Sequence, residues 1–348
     1  MTEQNISLVG KPLPCQAHGC QEQALSLSQY CWEHTKDRAD FRKSLEERVK
    51  KGEPLKKFNL RRAVLMGADL VRANLSGADL TSADLSSTNL NEAHLHGADL
   101  SNADLYNAEL TGADLSKANL FKANISNARL WHANLEGANL TEANMQGAEM
   151  LQANLADARF WHTDLTSVKF LTRRNFSKKM GRFFRVEKID EKGSLAAEDA
   201  YRDLKQYFIA RGQYNDASWA SYREKTMERK WLLENKNPAY IVSLLMNLLS
   251  GYGEKPFMVT MAAIFIIFSY AFVYYAIDAV RLSLVTAEGI GTWDYLYFSI
   301  ITFTTVGYGD LIPKSQSIYR LLAGSEAFIG AFMIGLFVFT LARRYTAR

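Results

Sequence analysis

FNLRRAVLMGADLVRANLSGADLTSADLSSTNL, residues 58–90, carries an apolar residue at every fifth position, from Leu60 through Leu65 and Leu70 to Leu90. The rhythm runs on to Phe170 without a gap and gives 23 such positions, 18 of them Leu; the others are Ile125, Met145, Met150, Phe160 and Phe170. Two residues before each stands a small residue, Ala in 19 of the 23 cases, with Phe58, Thr88, Thr163 and Val168 as exceptions. Asp or Asn usually sits between the two. A period of five matches neither the helical period of about 3.6 nor the strand period of about 2. It marks a solenoid in which each five-residue unit is one side of a square coil. Leu and Ala point inward, and Ala has to be small because four sides converge on a narrow axis.

This unbroken register resembles the pentapeptide-repeat family. The resemblance implies a right-handed quadrilateral β-helix over residues 58–172. Four sides per coil turn the 23 repeats into nearly six coils, a rod of roughly 27 Å at a strand spacing of about 4.8 Å. Such rods serve as spacers or binding surfaces and rarely as catalysts. Some relatives mimic DNA, but 8 Lys/Arg against 13 Asp/Glu over residues 58–170, a net of −5, is weak for that role. No nucleic-acid partner is expected.

Solenoid ends need covers. On the N-terminal side, residues 1–57 hold all three cysteines of the chain, spaced Cys15-x4-Cys20-x10-Cys31-x2-His34. Three soft thiolates and one imidazole suit a closed tetrahedral zinc site, structural rather than catalytic because no position is left for water. His18 is a rival fourth ligand, and unpaired thiols with a solvated histidine are the plainer alternative. The cluster resembles the short Cys/Cys/Cys/His zinc-binding modules of many bacterial proteins. The charged stretch 36–51 reads as a helix that, with the zinc module, caps the first coil.

Residues 173–238 form a basic linker and a helical hairpin. Arg173, Arg174, Lys178, Lys179, Arg182, Arg185 and Lys188 face one acid, Glu187. They are either a solvated linker or a contact for anionic lipid headgroups. Within 196–234, Leu204, Phe208, Gly212, Tyr214 and Ala217 resemble half of a tetratricopeptide repeat. One hairpin cannot bury its own apolar face, so it should pack on the solenoid end or on a neighbouring subunit. Residues 239–255 open with AYIVSLLMNLLS, too short to span and suited to lie along a membrane surface.

Apolar residues are 48% of the 348 and charged ones 22%. These averages suit a soluble protein until their distribution is followed. Residues 257–277 hold no charge in 21 positions, and 321–342 hold one acid, Glu326. Each is long enough to cross a bilayer core of about 30 Å. A wholly soluble enzyme is excluded, and so is a protein that is mostly membrane. Residues 171–256 carry 17 Lys/Arg against 11 Asp/Glu, a net of +6, and Arg343, Arg344 and Arg348 follow the second apolar stretch. The positive-inside rule then places both ends in the cytoplasm of a two-span protein of the cell (inner) membrane. MTEQNISLVGKP lacks an apolar signal core, so export of the soluble part is not expected.

Between the spans, WDYLYFSIITFTTVGYGD (293–310) is an aromatic amphipathic stretch running into Thr305-Val306-Gly307-Tyr308-Gly309-Asp310. A helix over 293–304, with Thr292 placed to cap it, spans roughly 18 Å at about 1.5 Å per residue and enters the bilayer without crossing it. Irregular backbone at that depth must line a wet path or be buried in protein. TVGYG is the known signature of potassium-channel selectivity filters, and residues 240–345 resemble the two-transmembrane bacterial potassium-channel family. Together with the repeats, the chain is similar to pentapeptide-repeat ion channels.

The resemblance implies a filter at 305–309 whose backbone carbonyls, from Thr305, Val306, Gly307 and Tyr308, replace the hydration shell of potassium. Gly307 and Gly309 permit the required backbone, the Tyr308 ring wedges against the pore helix, and Thr304, Asp310 and Tyr297 support the loop. One chain supplies a quarter of the ring, so a homotetramer is implied, its pore domain 256–345 being all-α with outer helix 256–278, pore helix 293–304 and inner helix 318–342. Position 301 is Ile where some relatives carry an acid behind the filter, so Tyr297 is expected to donate to Asp310 instead. Glu326 is a functional candidate by virtue of lying in a span, with a structural hydrogen bond to a partner the sequence does not name as the equal alternative. Gly330 and Gly335 are candidate hinges of the inner helix, with close helix packing as the alternative. No regularly spaced arginines precede the pore, so control should come from the N-terminal side. A membrane-anchored scaffold whose rod binds a partner, and a weakly selective cation channel, are the competing readings. An enzyme is not expected, since no nucleophile, base and oxyanion set appears.

Overall fold

The computed structural model describes residues 13–180, 184–187, 193–283 and 290–346. The chain divides into two compact units, residues 1–228 and 229–348.

In the first unit, a short 3₁₀ turn at Trp32–His34 leads into helix α1, Arg38–Lys50. Trp32 meets Phe41 edge-on at 6.1 Å, and Phe41 and Leu45 continue the apolar column of the solenoid with Leu55 and Phe58. Polar contacts fasten this cap. Arg42 donates to the carbonyls of Met66 (2.7 Å) and Gly67 (2.8 Å), and the Asn59 side chain donates to Ala24 O at 2.7 Å.

Above it, the residue between the two inward positions of each repeat bridges in parallel to the one 20 positions on, from Asn59↔Asp79 to Glu149↔Lys169. Twenty residues per turn are four sides of five, as the resemblance to pentapeptide repeats implies. The inward Leu and Ala are almost wholly buried through the body of the rod; each buried Leu stabilises by about 1.5–3 kcal/mol. Thr88 and Thr163 occupy Ala positions without leaving a polar atom unpaired, for their hydroxyls donate to Leu65 O (2.9 Å) and Leu140 O (2.8 Å). The intervening Asp or Asn also has a task. Asp79 accepts the Thr81 amide at 3.0 Å, closing the corner, and Asn119 and Asn139 form rungs between coils at 3.0 and 2.9 Å.

The inward column ends one step early. Phe170 is 54% exposed and Leu171 takes the buried place. A 3₁₀ turn at Arg173–Phe176 then closes the last coil: Asn175 donates to Met150 O and Ala153 O, and Phe176 packs between Phe160 and Trp219. Strands β1 (Ser177–Met180) and β2 (Phe184–Glu187) pair antiparallel. Helices α2 (Ser194–Ala210) and α3 (Tyr214–Glu234) follow, separated at Gly212, whose φ of +69° suits glycine. Their hairpin packs on the solenoid end. Tyr207 Oη and the Arg211 guanidinium both donate to Val168 O, at 2.9 and 2.7 Å. Of the basic run, Arg173 pairs with Asp216 at 3.5 Å and Arg174 is exposed. Lys178, Lys179, Arg182, Arg185 and Lys188 lie outside the residues whose side chains are described.

The second unit contains α4 (Ala239–Ser250), α5 (Pro256–Ala276), β3 (Val280–Leu282), α6 (Thr292–Phe303), β4 (Leu311–Pro313) and α7 (Ser317–Thr346). Pro256 begins α5, where its missing N–H costs nothing. Helices α5 and α7 are long and apolar enough to cross a membrane, and only 17% of each apolar window is buried within the protein. A core helix of a soluble domain would be mostly covered. Helix α4 likewise exposes Ile241, Val242, Leu245 and Leu248, while its Leu249 packs near Val259 of α5.

Candidate functional site

Helix α6 begins at Thr292, and Gly291 is its N-cap, with the Gly291 amide donating to Asp294 Oδ2 at 2.7 Å. Thr292 therefore does not cap the helix, as its position in the sequence suggested; it is the first helical residue. The aromatic face of α6 is buried through Tyr295, Phe298, Ile301 and Phe303. At its C-terminal end the chain turns tightly. Thr304 Oγ1 donates to Ile300 O at 2.7 Å, and the amides of Val306 and Gly307 reach back to Ile301 O at 3.0 and 3.3 Å.

From this turn the TVGYG segment runs out in irregular, exposed backbone. Thr305, Gly307 and Gly309 lie at φ of +58°, +49° and +80°. This alternation of left-handed residues turns successive peptide planes, and it explains glycine at 307 and 309. Val306 is 53% and Tyr308 73% exposed. Tyr308 therefore does not wedge against the pore helix of its own chain. Asp310 accepts from Tyr297 Oη at 3.0 Å, joining the far end of the loop to α6. Beyond it, β4 pairs antiparallel with β3 (Leu282↔Leu311 to Val280↔Pro313), and Asp278 accepts from Tyr295 at 2.7 Å and from Lys314. The loop is thus held at both ends by elements of the same unit.

Sequence reasoning missed the contacts behind the loop. Glu326 of α7 is fully buried, with Tyr274 Oη of α5 donating to its Oε2 at 2.6 Å and Ser299 Oγ of α6 against its Oε1. These partners lie 52 and 27 residues away in sequence, and no spacing rule connects them. One turn along α7, a Cβ on Gly330 would stand 1.9 Å from the Phe303 carbonyl oxygen. Gly330 is a point of close approach between α7 and α6. Gly335 has nothing within 4 Å of its Cβ position.

A second site stands in the first unit. Cys15, Cys20, Cys31 and His34 bring one ligand atom each to within 4.8 Å of one another, and His18 is not among them. Cys20 Sγ and Cys31 Sγ are 3.8 Å apart, Cys15 Sγ and His34 Nδ1 3.7 Å, and Cys31 Sγ and His34 Nδ1 3.1 Å. Zn–S bonds of about 2.3 Å in a tetrahedron require sulfurs about 3.8 Å apart, so the residues fit the metal. Burial of the Cys15 thiol opposes ionisation, yet the amides of Cys31 and Ala17 outweigh it and bring its pKa down to about 7. A thiol inclined to ionise is a thiol inclined to ligate.

Comparisons with known proteins separate the two halves in the same way. Residues 258–347 match the family described as "Ion channel", and segments between 55 and 170 match the family described as pentapeptide repeats. The chain therefore joins a solenoid similar to pentapeptide repeats to a segment similar to ion-channel domains. Over 45 residues it is 56% identical to two-pore potassium channel 1 of Arabidopsis thaliana and 49% identical to two pore potassium channel a of Oryza sativa subsp. japonica. These matches span 13% of this chain and 12% and 13% of those relatives, so the chain spans about an eighth of the length of the curated relatives it matches. Among solved structures, a pentapeptide repeat protein from the Arabidopsis thaliana thylakoid lumen is 37% identical over 29% of this chain and 67% of its own (TM-score 0.26). A pentapeptide repeat protein from the cyanobacterium Cyanothece is 27% identical over 36% and 93% (TM-score 0.25). At those TM-scores the solenoid assignment rests on the 20-residue bridge register and the repeat family match.

Proposed function

We propose that this chain is a potassium-selective channel of the two-transmembrane bacterial type, conducting passively and catalysing no reaction. The observation that carries the reading is the TVGYG loop itself: it leaves the C-terminal end of a half-length helix between two spans, with left-handed Thr305, Gly307 and Gly309. Rings of backbone carbonyls from Thr305, Val306, Gly307 and Tyr308, with the Thr305 hydroxyl below, would replace the water around potassium. The negative end of α6 favours a cation at its foot. One chain cannot close a ring, and Val306 and Tyr308 stand uncovered in it. A homotetramer supplies the missing sides, with Tyr308 packing on a neighbouring chain and α7 lining the pore.

In this reading the termini are cytoplasmic at the inner membrane, a structural zinc at Cys15, Cys20, Cys31 and His34 fixes the N-terminal cap, and α4 lies at the membrane surface, where its exposed apolar face meets lipid. The N-terminal unit modulates opening through the segment that feeds α5. The test is flux from liposomes: wild-type protein should release potassium and retain sodium, and Tyr308→Asp should release both while remaining tetrameric. Equal release of both ions by wild type would leave a nonselective channel. Deleting residues 1–170 should leave selectivity intact and alter open probability.

A further inference from the structure

Glu326 is fully buried within the chain, inside the second span, so its surroundings do not depend on assembly. Ser299 Oγ lies within hydrogen-bond reach of Glu326 Oε1 and also 2.9 Å from the backbone carbonyl oxygen of Ile267 on α5. A serine hydroxyl carries one hydrogen and two lone pairs. One hydrogen cannot serve both oxygens, and the Ile267 carbonyl can only accept, so both contacts are hydrogen bonds together only with the Ser299 hydrogen on Ile267 O. The contact with Glu326 is then a bond only if its hydrogen comes from the carboxyl group. Tyr274 completes the set by donating to Oε2. No cation stands within ion-pair distance of Glu326 among the described residues, and the titratable groups facing it are Tyr274 and, behind it, Tyr270, both from α5. A carboxylate there would be a buried charge without a counter-ion, which is strongly disfavoured.

We infer that Glu326 is a neutral carboxylic acid that donates to Ser299 and acts as a positioning residue, fixing the pore helix to the inner helix behind the filter. Glu326 and Gly330 are one turn apart on α7, and they meet Ser299 and Phe303, one turn apart on α6. Phe303 is the last helical residue before the Thr304–Thr305 turn. The acid thus comes from the inner helix and sets the height of the filter's foot, where position 301 offers only Ile.

Two arms test this on full-length protein in lipid. The infrared difference between wild type and Glu326→Gln at neutral pH should show the carbonyl stretch of one protonated carboxyl per chain. Ser299→Ala should shift that band, because its hydrogen-bond acceptor is gone. In function, glutamine reproduces the neutral acid's pattern, donating to Ser299 and accepting from Tyr274. Glu326→Gln should therefore keep potassium-to-sodium selectivity and open probability within about twofold, whereas Glu326→Ala, which strands the buried Tyr274 hydroxyl and cuts the tie from α7 to Ser299, should lower surviving tetramer or open probability about tenfold or more. Carboxylate bands in place of the acid band, or Glu326→Gln as damaging as Glu326→Ala, would overturn the inference. The consequence for conduction rests on the channel reading, but the infrared arm needs no current. A channel that conducts without the acid band refutes this inference alone, and the band in a protein that does not conduct refutes the channel reading alone.

Discussion

Replacing Gly330 by alanine separates a hinge from a packing contact. In an unobstructed helix the change should stabilise, by about 1 kcal/mol. Here the new Cβ would lie 1.9 Å from the Phe303 carbonyl oxygen, 2.7 Å from its carbon and 3.0 Å from its Cα. Those atoms are backbone, so no side-chain rotation relieves the clash. To restore even 3.0 Å to the oxygen, α6 and α7 must part by about 1.1 Å, and overpacking of this kind costs about 1–3 kcal/mol per chain. In the proposed tetramer the term enters four times, and it acts where α6 ends and the TVGYG loop begins. Gly330→Ala should lower the melting midpoint of the detergent-solubilised tetramer and reduce or abolish potassium current. Gly335→Ala is the control: with nothing within 4 Å, it should leave assembly unchanged. Gly330→Ala protein that melts and conducts like wild type would refute the close approach, and matching gating defects in both variants with unchanged stability would restore the hinge at Gly330.

Three further outcomes follow from other parts of the molecule. Metal analysis should find one zinc per chain, lost in Cys31→Ser and released as pH falls, because protons compete for the thiolates; chelation should raise amide exchange across 13–57 while the pore unit is unaffected. Tyr297→Phe removes a 3.0 Å bond to Asp310, worth about 0.5–1.5 kcal/mol, and should speed loss of current during sustained opening without dissociating the tetramer. Glu46 links α1 to the first coil: burial opposes its ionisation, but the Arg42 guanidinium and the Asp69 amide outweigh it and hold its pKa below the usual 4.5. A lowered native pKa means stabilisation that is complete above the usual value and lost as pH falls through the native one. Exchange protection of the Asp69 amide should therefore drop in acid for wild type, and Glu46→Gln should show the weaker protection already at neutral pH.

Much of this architecture is legible in the sequence because it is periodic or local. Five-residue spacing sets the side of the coil and the resemblance to pentapeptide repeats its four sides, hence the 20-residue bridge register, and Tyr297 stands near enough to Asp310 in sequence for their bond to be anticipated. The rest depends on contacts between distant segments. Nothing in the spacing of Tyr274, Ser299 and Glu326 announces that three helices converge on one carboxyl group. Gly330 and Gly335 look alike in sequence and differ only in what faces them. Phe170 keeps the apolar rhythm of the sequence, yet it is exposed and Leu171 lies inside, a one-residue shift that spacing alone does not reveal. Thr292 suggests a cap because its hydroxyl could serve as one, but the helix begins one residue earlier than that reading needs, and Gly291 takes the N-cap with its amide donating to Asp294.

The central claim is selective conduction of potassium, and the reversal potential of purified protein in a planar bilayer tests it most directly. With a tenfold potassium gradient balanced by sodium, the account predicts reversal near the potassium equilibrium potential, about 59 mV from zero for a monovalent ion. Reversal near zero under the same gradient would contradict it.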